Sequence, residues 1–171
     1  MAKEIDIYNP KIQKEFNKIL NPKDLTTPKS INDDISEFCK KINDSKKPFF
    51  IKIEPEDWCR QSCCDLNVKE YIKINSGNMV CGYKIWYSSP NYIEGERHAV
   101  WYKDGVYKDI TFNSEGEKEI LFIPDKEENS TSLDANKNKV RWGKNAIAKA
   151  LVKSLFEQEK TFPMQKMTDK Q

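Results

Sequence analysis

The stretch Glu96-Arg97-His98-Ala99-Val100-Trp101-Tyr102-Lys103-Asp104-Gly105-Val106-Tyr107-Lys108-Asp109-Ile110-Thr111-Phe112 decides the fold. Two β-rich runs flank Asp104-Gly105, a dipeptide suited to a two-residue hairpin turn whose positions need positive φ. The spacing predicts strands over 96–103 and 106–112. With Asp104 and Gly105 as the turn, Lys103 pairs with Val106, His98 faces Thr111 and Val100 faces Asp109. His98 and Asp109 are then diagonal neighbours on one face, with roots roughly 7–8 Å apart, within reach of each other. A slip of one residue would send Asp109 to the other face.

Outward from the hairpin, residues 119–123 read as a further strand and residues 125–139 as a polar loop. Ile147, Ala150, Leu151, Ser154 and Leu155 mark a C-terminal helix, with a frayed tail from Glu159. In the other direction, residues 79–87 read as a strand, with Gly82 marking a close approach. Before it, Cys64, Val68, Tyr71 and Ile72 share one helical face, with Asn67 beside it, and Ser76-Gly77 stops the helix. Cys64 falls in the first turn. A loop, Glu54 to Gln61, precedes that helix, and residues 48–53 precede the loop as a strand. Asn9-Pro10 caps a helix over 10–20, and Ile35, Phe38, Cys39 and Ile42 stripe a second that starts near Asn32 or Asp33. Helices first and an antiparallel sheet after them predict an α+β fold. The expected organisation is one domain over 1–158. It has a helical part over 1–47, a core over 48–125, a C-terminal helix within 140–158 and a flexible tail over 159–171.

Composition narrows the function classes. Lys plus Arg number 29 and Asp plus Glu 27, so no basic excess points to nucleic acid. No signal-peptide core and no membrane-length apolar run is present, so a cytoplasmic protein without membrane partners is expected. Five cysteines form an odd set without a disulfide-framework spacing. They read as thiols in a reducing compartment, where at least one is a candidate for a chemical rather than a structural role.

His98 is the single histidine. An Asp bonded to one ring nitrogen fixes the tautomer and leaves the other nitrogen as a base. Cys64 is the thiol for that base, because a helix N-terminus and a nearby imidazolium both favour thiolate. Cys64, His98 and Asp109 together supply nucleophile, base and orienter. Backbone N–H groups at the helix start, with Gln61, Ser62 or Asn67, are candidate oxyanion donors. Trp58 is a candidate wall of a substrate groove, and Glu94 and Glu96 are candidate rim residues for a cationic or amide-bearing substrate. Each has a plainer reading. A Cys on a helix face packs more often than it reacts, a strand His is more often structural, and rim carboxylates are most often solvated. The geometry on which the three converge favours chemistry. Cys63 is a rival nucleophile, turned about 100° from Cys64 on the helix. Cys59, Cys63 or Cys64, Cys81 and His98 could offer thiolates and an imidazole to zinc, but their spacing contains no compact ligand pair. No metal or cofactor is therefore expected.

Six segments carry a resemblance: Cys64-Asp65-Leu66-Asn67-Val68; Ile74-Asn75-Ser76-Gly77; Gly82-Tyr83-Lys84-Ile85-Trp86; Ile93-Glu94-Gly95-Glu96-Arg97-His98-Ala99-Val100-Trp101; Asp109-Ile110-Thr111; and Ile120-Leu121-Phe122-Ile123-Pro124-Asp125. In these the chain resembles a group of bacterial and phage proteins of largely uncharacterised function, some with a SEC-C zinc-binding tail. It departs from their pattern at Tyr83, usually Trp, and at Phe112, often Pro, and it lacks the SEC-C cysteines. The resemblance includes Cys64, His98 and Asp109 as polar landmarks. The order Cys on a helix, then His and Asp on strands, is similar to papain-like and transglutaminase-like enzymes. It implies a cysteine hydrolase or acyl transferase: an amidase, peptidase, isopeptidase or glutamine deamidase acting on a protein or peptide. The alternative is a non-catalytic phage- or virus-type protein that keeps the scaffold and blocks a host factor.

Overall fold

The computed structural model describes residues 3–113, 116–126 and 139–161. Its elements, in chain order, are α1 (Pro10–Ile19), β1 (Leu25–Thr26), α2 (Asp33–Ile42), β2 (Phe49–Lys52), α3 (Cys64–Asn75), β3 (Asn78–Ser88), β4 (Tyr92–Lys103), β5 (Val106–Lys108), β6 (Glu119–Pro124), β7 (Val140–Gly143) and α4 (Ala146–Thr161). This is a mixed α+β chain with a seven-stranded sheet. Most of the expected polar loop and tail lies outside the described residues.

Local chemistry explains most element ends. Asn9 accepts from the Lys11 N–H, and Pro10 opens α1 where a missing donor costs nothing. Asn32 accepts from the Ile35 N–H, with Asp33 and Asp34 at the positive end of α2 and Lys40 and Lys41 at its negative end. Asp104 and Gly105 take φ values of 50° and 80°. They set the predicted register: Lys103 opposite Val106, Tyr102 opposite Tyr107 and Trp101 opposite Lys108.

The chain divides into two compact units. One comprises the residues up to Thr26, Tyr87–Ile93 and the chain from Arg141. In it, Phe16, Tyr92 and Leu151 form a buried cluster with α1 and α4 residues such as Ile12, Ile19, Ile147 and Leu155. There β1 pairs with the end of β3, Leu25 opposite Ser88 and Thr26 opposite Tyr87.

The other unit comprises Thr27–Trp86 and Glu94–Val140. Its strands run in the order β2-β6-β3-β4-β5, antiparallel in the registers described for β2–β6, β3–β6 and β4–β5. Strand β6 lies between β2 and β3, and Ile120 to Ile123 are fully buried. A strand covered on both faces needs an unbroken apolar run, and each such side chain contributes roughly 1.5–3 kcal/mol. Gly82 lets β6 approach: a Cβ there would collide with the Ile123 carbonyl oxygen. Two clusters fill this unit. Ile51, Val100, Ile120 and Phe122 form one. Cys64, Val68, Tyr71, Cys81, Ala99, Trp101 and Ile110 form the other and seat α3.

The structure corrects the return strand, expected over 106–112: β5 stops at Lys108. The Asp109 N–H donates to the Lys52 carbonyl at 3.0 Å, and the Glu54 N–H donates to the Asp109 carbonyl at 2.8 Å. Asp109 thereby forms an isolated parallel bridge with Ile53, which joins the two ends of the strand path. Strand β4 begins at Tyr92, four residues earlier than expected, and β1 and β7 were not anticipated.

Candidate active site

Helix α3 starts at Cys64, as its position in the first turn required. Cys63 is the N-cap and makes no side-chain cap bond, so the first-turn N–H groups are not tied by a capping side chain. One residue earlier, Ser62 takes a left-handed φ of 61°. That conformation is uncommon outside glycine and marks a tight presentation of the segment leading to Cys64. The Cys64 side chain packs in the α3 cluster with Ala99, Trp101 and Cys81.

His98 lies near the middle of β4, and Asp109 follows the last residue of β5. Nε2 of His98 is 3.0 Å from Oδ1 of Asp109. The approach has ion-pair distance, although the ring N–H is not aligned on the carboxylate as a well-directed hydrogen bond. Cys64 interacts with the same imidazole. With Nε2 turned to Asp109, Nδ1 is the nitrogen left for the thiol. All three residues are buried: Cys64 is 8% exposed, His98 5% and Asp109 1%. Burial opposes a charged imidazole, but the Asp109 carboxylate, with added contributions from Cys64, outweighs it. The His98 pKa is pushed up to about 10.

Asn67, one turn beyond Cys64, is 3% exposed and fully engaged. Its Oδ1 accepts from the Arg60 N–H at 2.9 Å, and its Nδ2 donates to the Arg60 carbonyl at 2.7 Å and to Thr111 Oγ1 at 3.4 Å. An amide has two donor hydrogens, so none remains for an oxyanion in this arrangement. The Thr111 N–H in turn donates to Asp109 Oδ1 at 3.0 Å.

The remaining candidates lie in the same unit in different settings. Gln61 is exposed, and Trp58 is 41% exposed on the loop before α3. Glu94 is buried and pairs with Lys139 at 3.6 Å. Glu96 accepts from Trp86 Nε1 at 3.1 Å. These bonds tie both carboxylates to neighbours in the fold. Cys63 and Cys59 are half-buried. Burial is the largest influence on the Cys59 thiol and raises its pKa; a backbone hydrogen bond from Glu56 opposes the rise, and the Glu56 and Asp109 charges add to it. Among the described residues, no group of three or more His, Cys, Asp or Glu side chains is arranged to hold a metal ion.

Sequence reasoning missed Thr111 and the Arg60 backbone as parts of this network. The signal for Thr111 was present: an Asp two residues before a free backbone N–H favours a local side-chain bond to it. It also missed a buried ion pair made by Arg97, the residue before His98 in β4. Arg97 Nη1 meets Asp125 Oδ2 at 2.8 Å, and the guanidinium rests over the Tyr83 ring.

Among the described residues, no helix is long and apolar enough to cross a membrane. Comparison of the chain with family models, with curated protein sequences and with solved structures gives no match.

Proposed function

We propose that this chain is a cysteine-nucleophile hydrolase or acyl transferase acting on an amide, isopeptide or ester carbonyl of a protein or peptide. The observation that carries the reading is that one buried imidazole meets a carboxylate at 3.0 Å and interacts with a thiol at a helix start. Those are the three parts of an activated nucleophile.

In the proposed cycle the Cys64 proton already rests on His98, whose charged form Asp109 favours, and the sulfur attacks the carbonyl carbon. The oxyanion accepts from first-turn N–H groups of α3. The protonated His98 returns its proton to the departing amine or alcohol, leaving a thioester on Cys64. Water, deprotonated by His98, or an acceptor amine then attacks that thioester and releases the thiol. If the leaving amine is the ammonia of a glutamine side chain, the same steps deamidate. Asp109 holds the ring and stabilises its charged form. Five free thiols suit a reducing compartment, consistent with a cytoplasmic setting. The motif resemblance to the bacterial and phage group, and a papain-like arrangement of Cys helix and sheet, belong to the same proposal.

The test is alkylation by iodoacetamide across pH, with mass-spectrometric mapping. Cys64 should react faster than an ordinary thiol near neutral pH, and His98→Gln should remove the advantage. If Cys64 is no faster and His98→Gln changes nothing, the reading fails. A second reading is a non-catalytic binding protein that blocks a host factor. The burial of Cys64 and His98 favours it, because a substrate must reach the sulfur. Stoichiometric partner binding that survives Cys64→Ala, without reactivity at Cys64, would support it.

A further inference from the structure

We propose that Asn67 and Thr111 are positioning residues that clasp the Cys64 helix to the carboxylate holding His98. The proposal rests on the cysteine-nucleophile reading and deepens it.

The links form one hydrogen-bonded chain. Asn67 holds both backbone groups of Arg60 with its own amide. The same amide reaches Thr111 Oγ1, and Thr111 reaches Asp109 Oδ1 through its backbone N–H. Oδ1 is also the atom nearest His98 Nε2. Asn67 lies one turn beyond Cys64 on the same helix, so a shift of Asn67 moves the sulfur relative to the ring. Arg60 lies two residues before the left-handed Ser62. Fixing both of its backbone groups therefore fixes the turn that delivers Cys64. Asn67, Thr111 and Asp109 are all buried. Water cannot readily replace a lost partner there, and each broken link leaves a polar group unpaired.

The geometry requires an amide at 67 and a hydroxyl at 111. Asp at 67 would lose both donated bonds and place a second carboxylate near Asp109. Leu at 67 would lose all three bonds. Val at 111 keeps the shape and the backbone N–H but removes the Oγ1 acceptor, while Ser keeps it.

The experiment measures Cys64 alkylation by iodoacetamide against pH, alongside thermal unfolding, for the full chain and for Asn67→Ala, Thr111→Val, Thr111→Ser and His98→Gln. Asn67→Ala and Thr111→Val should slow the neutral-pH reaction on the order of tenfold, the scale of loss when hydrogen-bond partners that orient a metal-ligating side chain are removed. They should also displace the pH midpoint, and Thr111→Ser should restore both. If Asn67→Ala does not fold, Thr111→Val against Thr111→Ser decides. A folded Thr111→Val with the wild-type rate and midpoint overturns the clasp. If His98→Gln also leaves the profile unchanged, the cysteine-nucleophile reading has failed; if His98→Gln alters it, only the clasp has failed.

Discussion

His98 and Asp109 meet at 3.0 Å across two strands, both side chains buried, at the point where Asp109 leaves the β4 hairpin to bridge Ile53. The contact places a carboxylate where the protein leaves little water to screen it. Its backbone is held from the β2 side while its side chain addresses β4.

The first expectation concerns pH. The His98 pKa rises from its ordinary 6.5 to about 10 in the folded chain, so folding takes up a proton that the unfolded chain gives up more readily. That contribution is fully present below about pH 6.5 and is lost as the pH rises toward 10. Denaturant unfolding at pH 6 and pH 9.5 should show wild type losing more stability with rising pH than Asp109→Asn does. The difference should be on the order of 1–3 kcal/mol. Equal pH dependence in the two proteins would contradict the assignment.

Cysteine labelling should separate by burial. The Cys39 thiol has its pKa pushed up to about 12 by burial in α2 and is fully enclosed. In native protein at pH 8 it should stay unmodified for hours while half-buried Cys63 and Cys59 label. In denaturant it should label at the rate of an ordinary thiol. Rapid native labelling of Cys39 would show that α2 opens readily.

Gly77 follows the Cys64 helix at φ +92°. A Cβ there would stand 2.6 Å from Trp101 Nε1 and 2.8 Å from the Tyr102 carbonyl oxygen. Trp101 cannot retreat without cost, since its Nε1 donates to the Ser76 carbonyl at 2.7 Å and its ring packs edge-on against Tyr71. Gly77→Ala should destabilise by about 2–4 kcal/mol, read as a lower urea midpoint with an unchanged slope.

The Arg97–Asp125 pair should be costly to halve and cheap to replace. Both side chains are 9% exposed. Asp125→Ala should cost about 3–5 kcal/mol by stranding the guanidinium, and the double replacement Arg97→Met with Asp125→Leu should recover much of that. Unfolding free energies of the single and double variants form the test, and additive losses would contradict it.

The sequence by itself determined what short-range chemistry controls. Asn9, Asn32, Asp104-Gly105 and the Cys64 face depend on the handedness of a turn, a nearby donor or a helical period. Each was legible within a few residues. The hairpin register followed, and with it the nearness of His98 to Asp109. Only the tertiary structure decided where β5 ends, because the competing partners for Asp109 are Lys52 and Glu54, more than fifty residues away in the chain. The same holds for Asn67, whose donors looked free for an oxyanion until Arg60 and Thr111 took them. It holds also for β1 and β7, too short to show a period and defined by the strands they pair with. A backbone or amide group offers the same hydrogen bonds in any sequence context, and which partner wins is settled only when the packed chain brings distant segments together.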